Sequence, residues 1–387
     1  MGAAAAINLV FSPLSIYAAL ALAAAGAGGR TLKEILKALG VRSCSKLNEL
    51  LGEATEQALA DQLQSGGPNI AFACGVWHDE GWALLPEFQE AADASYKAEA
   101  RAVDFRKKFL YNFAFHACNR RMQLVTSTAG SRQQRITSST LSLVRPQLAW
   151  TRAFCSPAPS TSKETGMCRF PRSKPRWKSS SVSTAAPPTH RSCVQQGDIL
   201  YLSMMGTRCS SSYRSPSEMV GGIQPKYSMC IFLPDVRDGL PELTDRITSS
   251  SGFPGDYLPD KPVPVGKFRL PKFKLSSSGG IRQALTDCLG IKNAFDAGEA
   301  DFLNLANGEG SDMPLSMTEV AHKAMLEVNE KGASRATAAT TFGMRILASR
   351  NPAKDVDFVA DHPFMFFVIE EVSGAIMLAG HVLDPST

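Results

Sequence analysis

The chain has no Cys-x-x-Cys pair, no Gly-x-Ser-x-Gly turn and no apolar run long enough to span a bilayer. Each absence removes a class of function. Its nine cysteines are an odd, scattered set (Cys44, Cys74, Cys118, Cys155, Cys168, Cys193, Cys209, Cys230, Cys288), which argues against a disulfide framework and for a reducing compartment. His116-Ala-Cys118 and His190-Arg-Ser-Cys193 lack a companion pair at zinc spacing, so neither a metal nor a cofactor is expected. Without the nucleophile elbow nothing points to a hydrolase, and the chain reads as no enzyme. Its start, Met1-Gly-Ala-Ala-Ala-Ala-Ile, has no basic stretch, and Phe11-Ser-Pro interrupts the apolar run behind it, so no secretory signal is expected. Gly2 is present, but Ala6 stands where a myristoylation motif expects Ser or Thr. Residues 19–25 are apolar yet too short for a membrane span. The expectation is a cytoplasmic or nucleocytoplasmic protein with no membrane partner.

What is present is unevenly distributed. A length of 387 residues with 44% hydrophobic content suffices for one large core or two ordinary ones. The formal charge of +5 averages two unlike regions. Residues 106–220 hold 18 Lys and Arg against 3 Asp and Glu, leaving 23 against 33 elsewhere. That basic segment also carries 20 Ser and five of the cysteines, with little strand alternation or helical repeat, and reads as atypical and disordered. It contains no folded nucleic-acid module. A basic nucleic-acid-binding role is therefore the weakest of the readings, and a solvated stretch explains the charge as well.

On either side the patterns are clear. Ser12 and Pro13 suit an N-cap and first helical residue, opening a helix apolar almost all round that should be central. Thr31-Leu-Lys-Glu34 reads as a capping box at the start of an amphipathic helix. Residues 69–80 alternate as a strand, and 86–97 read as a short helix. After residue 221 pattern returns abruptly, with a strand over 227–233 and a helix from Pro241. Asp361-His-Pro reads as the start of a strand with a structural histidine. Two β-rich runs, 357–371 and 375–383, meet at Val372-Ser-Gly.

Between these blocks lies Glu327-Val-Asn-Glu-Lys-Gly332, a polar strand end, followed by Ala-Ser-Arg-Ala-Thr-Ala-Ala-Thr-Thr341. Gly332 permits backbone angles costly to other residues, and the small side chains behind it could enter a sheet. The segment has the pattern of a hinge and a movable loop. It resembles the hinge and reactive loop of the serpins, plant serpins in particular. Phe11-Ser-Pro-Leu-Ser-Ile16 is similar to that family's buried helix start, and Phe268-Arg-Leu-Pro-Lys-Phe-Lys-Leu275 to a core strand. Leu289-Gly-Ile-Lys-Asn-Ala-Phe295 resembles a helix end, and Ala321-His-Lys-Ala-Met-Leu-Glu-Val-Asn-Glu-Lys-Gly332 the central strand before the hinge. The resemblance covers residues 8–105 and 221–387 of what would be a single α+β domain, helices packed around β-sheets with an exposed reactive loop at 332–356. The family's first helix has no counterpart here, and its usual central helix and strands cannot be read in 106–220. Their abrupt loss is the pattern an altered reading frame or retained non-coding sequence would leave.

The resemblance implies a monomeric serine protease inhibitor that is attacked as a substrate and then inserts its loop into a sheet, trapping the protease. Glu330, Lys331, Gly332, Ala333, Ser334 and Arg335 would be the hinge. Counting from Gly332 puts the scissile bond at Ile346–Leu347, which suits an elastase-like target; Arg345–Ile346 is the trypsin-like alternative. Ser12, Ser15 and His322 match positions that hydrogen-bond beneath the opening sheet, a shutter. Strand alternation sends Ala333, Arg335, Thr337, Ala339 and Thr341 to the inserting face, where Arg335 is the misfit. Ser334 also replaces the family's usual acidic residue. Inhibition should be impaired, and a non-inhibitory chain cleaved as a plain substrate is the alternative.

Overall fold

The computed structural model describes residues 7–58, 69–72, 74–96, 98–103, 135–139, 200–204, 207–211, 227–249, 265–307, 315–328, 356–370 and 373–386. The chain opens with β1 (Leu9–Phe11), α1 (Pro13–Gly26), α2 (Gly29–Ala38) and α3 (Cys44–Ala58). Next come β2 (Asn69–Phe72), β3 (Gly75–Asp79), β4 (Ala83–Leu84), α4 (Pro86–Ala94) and β5 (Glu99–Val103). Then follow β6 (Arg135–Ser139), β7 (Leu200–Met204), β8 (Thr207–Ser211), β9 (Tyr227–Pro234) and α5 (Leu240–Ser249). The rest is β10 (Val265–Arg269), β11 (Phe273–Gly280), α6 (Arg282–Asp287), a 3-10 turn (Asn293–Phe295), β12 (Ala306–Asn307), β13 (Ala321–Val328), β14 (Val356–Val359), β15 (Phe364–Glu370) and β16 (Ala375–Val382). The architecture is mixed helix and sheet.

The N-terminal helix forms as its residues dictate. Ser12 is extended at the cap, its hydroxyl accepts from the Ser15 N–H at 3.1 Å, and Pro13 fills the first turn. Leu14, Ile16, Tyr17, Leu20 and Leu22 are all buried, as an all-round apolar helix requires. It packs against β16 and against α2, α3 and α4.

The capping box does not form. The second helix starts earlier, after Gly28, which places Thr31 and Glu34 inside it. Both side chains serve distant backbone instead. Thr31 Oγ1 accepts from Asp301 N–H at 3.0 Å, while Glu34 Oε2 accepts from the N–H groups of Lys292 and Asn293, both at 2.8 Å. Backbone donors at 292–293 and 301 need acceptors, and these two are in reach.

A six-stranded antiparallel sheet runs in the order β1-β16-β15-β9-β8-β7. Its inner strands β15 and β16 are buried along their whole length, so they carry continuous apolar runs rather than alternation. A four-stranded sheet has the order β11-β13-β6-β2, antiparallel except for the parallel β6/β2 pair. Three two-stranded pairs, β10/β14, β12/β4 and β3/β5, complete the strands.

Two long motifs are broken more finely than their pattern implies. The run 268–275 is divided between β10 and β11 at Leu270-Pro271-Lys272, because proline cannot donate to a ladder. The segment 289–295 is not the end of a long helix. The preceding helix stops at Asp287, Gly290 takes φ +71°, and the Ile291 N–H reaches back to Leu285 O, a left-handed cap. Three strands also lie within 106–220, where no alternation announces them: β6, β7 and β8 are held by pairing to β2, β13 and β9.

Candidate functional site

The first strand crosses beneath the four-stranded sheet, packing against β11 and β13 while pairing with β16. This crossing brings Ser12 to His322 although 310 residues separate them. The Ser12 N–H donates to His322 Nε2 at 3.2 Å, and close by the Val10 N–H donates to Ser277 Oγ of β11 at 3.1 Å. His322 faces Gly279 in the β11/β13 register. Both Ser12 and His322 are buried, and burial pulls the imidazole down to about 3 from its ordinary 6.5. The ring is therefore neutral at physiological pH, with Nε2 as acceptor. It is a poor general base: its one identified acceptor nitrogen is occupied.

Ser15 is fully buried on the same helix start, and its hydroxyl has no hydrogen-bond partner among the described residues. The Tyr17 hydroxyl shares that condition, and burial raises it to about 12. The three residues expected beneath the sheet are thus brought together in part. Ser12 and His322 are bonded, and Ser15 is tied to Ser12 only through its own N–H.

Along β13 the burial alternates, with His322, Ala324, Leu326 and Val328 buried and Lys323, Met325 and Glu327 partly exposed. Glu327 pairs with Lys274 of β11 at 3.5 Å on that outer face. The strand ends at Val328, and β14 begins at Val356. The hinge residues Glu330, Lys331, Gly332, Ala333, Ser334 and Arg335 lie outside the described residues. So do Arg345, Ile346 and Leu347 and the small-residue face of 333–341.

One supporting site went unread in the sequence beyond its histidine. His362 is buried, with Nδ1 2.7 Å from Asp361 Oδ1 and Nε2 2.6 Å from Pro234 O. Both neighbours are acceptors, so both ring nitrogens are engaged and the residue is a strut between β9 and the start of β15. Arg237 holds the other carboxylate oxygen of Asp361. Only the Asp-His-Pro triplet hinted at this; Arg237 and Pro234 carry no local signal. Among the described residues no group of His, Cys, Asp and Glu is arranged to hold a metal ion, and no helix is long and apolar enough to cross a membrane.

Comparison with known proteins addresses the same segments. A family model described as "Serpin (serine protease inhibitor)" matches residues 2–112 and 195–385. The second stretch begins before residue 221 and takes in β7 and β8, so likeness to the family resumes earlier than the hydrophobic pattern does. Serpin-Z2A of rice (Oryza sativa subsp. japonica) is 38% identical over 410 residues, spanning 98% of this chain and 92% of that protein. Serpin-Z2B of the same plant is 36% identical over 396 residues, spanning 98% and 92%. Among solved structures, the native stressed conformation of Arabidopsis AtSerpin1 superposes with a TM-score of 0.70 over 99% of this chain and 93% of that one. At 24% identity this last likeness speaks for the fold.

Proposed function

The chain belongs to the serpin family, here in its plant type, and from that membership we propose that it meets a serine protease as a suicide substrate and traps it poorly. The protease attacks within 332–356 at Ile346–Leu347, with Arg345–Ile346 as the second bond. The acylated segment then competes between re-entry into the four-stranded sheet and release by water. Ser12, Ser15 and His322 regulate that opening, Glu330 to Arg335 turn the chain, and no side chain of this protein performs catalysis.

The observation that carries this reading is β13. It lies inside a sheet with His322 bonded to Ser12 beneath it, and it ends at Val328, two residues before the hinge sequence begins. Arg335 supports the impairment, since strand alternation aims a guanidinium at a face that must be buried, at a cost of several kcal/mol unless it finds a carboxylate. An elastase-like protease suits Ile346 and a trypsin-like one suits Arg345. The protein works as a monomer in a cytoplasmic or nucleocytoplasmic setting, which fits its unpaired cysteine pattern.

The test is incubation of the full chain with elastase-like and trypsin-like proteases, followed by denaturing electrophoresis and mass measurement of the released C-terminal fragment. A small SDS-stable fraction beside a dominant fragment starting at Leu347 is expected. A stable complex formed mole for mole would overturn the impairment, and absence of cleavage between residues 345 and 347 would overturn the reactive bond.

A further inference from the structure

We propose that β6, residues 135–139, is a placeholder strand that occupies the position a returning segment would need beside β13, and so acts as a stop to loop insertion. This rests on the suicide-substrate reading above and adds to it a specific obstacle. The inference comes from strand order, direction and register alone.

A strand has two edges. On one, β13 is paired along the whole of Ala321–Val328 by β11. On the other it is paired by β6, from Lys323↔Ser139 to Leu326↔Ile136. Chain that leaves the end of β13 and folds back onto it must run antiparallel, and with β11 in place it can do so only on the second edge. That edge and that direction are the ones β6 already holds. On its far side β6 is parallel to β2, from Asn69↔Arg135 to Phe72↔Ser138, so its backbone is engaged by both neighbours.

The register adds a limit on how far insertion can proceed. Pairing between β13 and β6 stops at Leu326, two residues short of the strand's end. A segment returning from Val328 would make its first pairs beside Val328 and Glu327, then meet Ile136. Farther insertion requires β6 to leave both β13 and β2. Because ladder bonds have to be broken before new ones replace them, this slows insertion relative to hydrolysis of the acyl bond.

The experiment uses the full chain, intact and after cleavage of its loop, with hydrogen exchange read by mass spectrometry on peptides covering 135–139 and 321–328, and with thermal unfolding. In the intact protein both peptides should be protected. After cleavage 135–139 should stay protected, and the unfolding midpoint should move by only a few degrees. Thr137→Pro, which removes a ladder N–H from the middle of β6, should raise the post-cleavage gain by about 10 °C and increase the trapped fraction. Exchange at 135–139 as fast as in a free peptide would overturn the proposal, as would a full gain in midpoint on cleavage of the unaltered chain. If Thr137→Pro fails to fold, the exchange measurement on the unaltered protein decides the matter. Should neither protease cut, the reading of 345–347 falls while the intact-chain exchange still tests β6.

Discussion

Ser12 and His322 are joined by a single hydrogen bond in which the backbone N–H of one end of the chain donates, at 3.2 Å, to the Nε2 of a histidine 310 residues away. The bond needs a neutral ring, and burial supplies one by lowering the imidazole to about 3. The unfolded chain titrates near 6.5, so between these values it binds the proton that the folded chain refuses. This contribution to stability is complete above about pH 6.5 and is lost as pH falls toward 3, at about 1.4 kcal/mol per pH unit. His381, lowered by burial to about 4, adds in the same direction. His322→Gln keeps an acceptor for Ser12 and removes the titration. Denaturant unfolding at pH 4 to 7 should show the unaltered protein losing stability more steeply than the variant; parallel curves would remove His322 from this role.

A different constraint fixes β1 to its sheet. A Cβ built on Gly380 would collide with the Leu9 carbonyl oxygen and stand 2.8 Å from the Phe366 ring. Leu9 pairs with β16 and cannot retreat without breaking the ladder. Gly380→Ala should therefore cost about 1–3 kcal/mol. Gly52→Ala in α3 is the contrast: its Cβ would meet nothing within 4 Å, and helix propensity predicts a gain of about 0.5–1 kcal/mol. Chemical unfolding of the pair should give opposite signs, and a neutral Gly380→Ala would mean that β1 is free to shift.

Legibility in the sequence followed the range of the interactions. The start of α1 could be read because a cap is local: Ser12 and Pro13 suffice. The end of β13 and the apolar runs of β15 and β16 could be read for the same reason. Thr31 and Glu34 were misleading because a capping box and a tertiary cap use the same side chains, and only the fold shows that their donors come from 292–293 and 301. The strands β6 and β8 are polar and held by neighbours far along the chain, so neither period nor propensity marks them. The bond between Ser12 and His322 was accessible only through family resemblance.

The choice between Ile346 and Arg345 is a choice of pocket chemistry, apolar against acidic. Arg345→Gln should leave elastase-like cleavage after Ile346 unchanged within about twofold. Ile346→Asp should reduce it by about 100-fold, because an apolar pocket would have to bury a carboxylate. Cleavage rates with the mass of the new C-terminal fragment separate the two bonds. Loss of all cleavage in Arg345→Gln would transfer the reactive bond to Arg345–Ile346.

The two obstacles proposed for insertion, β6 and Arg335, act on the same step and should not add independently. A returning strand stopped at Ile136 never has to bury what comes behind it, so removing the guanidinium alone relieves a cost that is seldom reached. In the unaltered background Arg335→Thr should raise the ratio of SDS-stable complex to cleaved chain by no more than about twofold. With Thr137→Pro in place the same substitution should raise it by about tenfold, which is the factor that 1.4 kcal/mol represents. The four proteins of this cycle, measured against one protease at one concentration, give the coupling directly. Equal effects of Arg335→Thr in both backgrounds would show that β6 does not precede Arg335 on the path, and the stop would then have to lie elsewhere in the sheet.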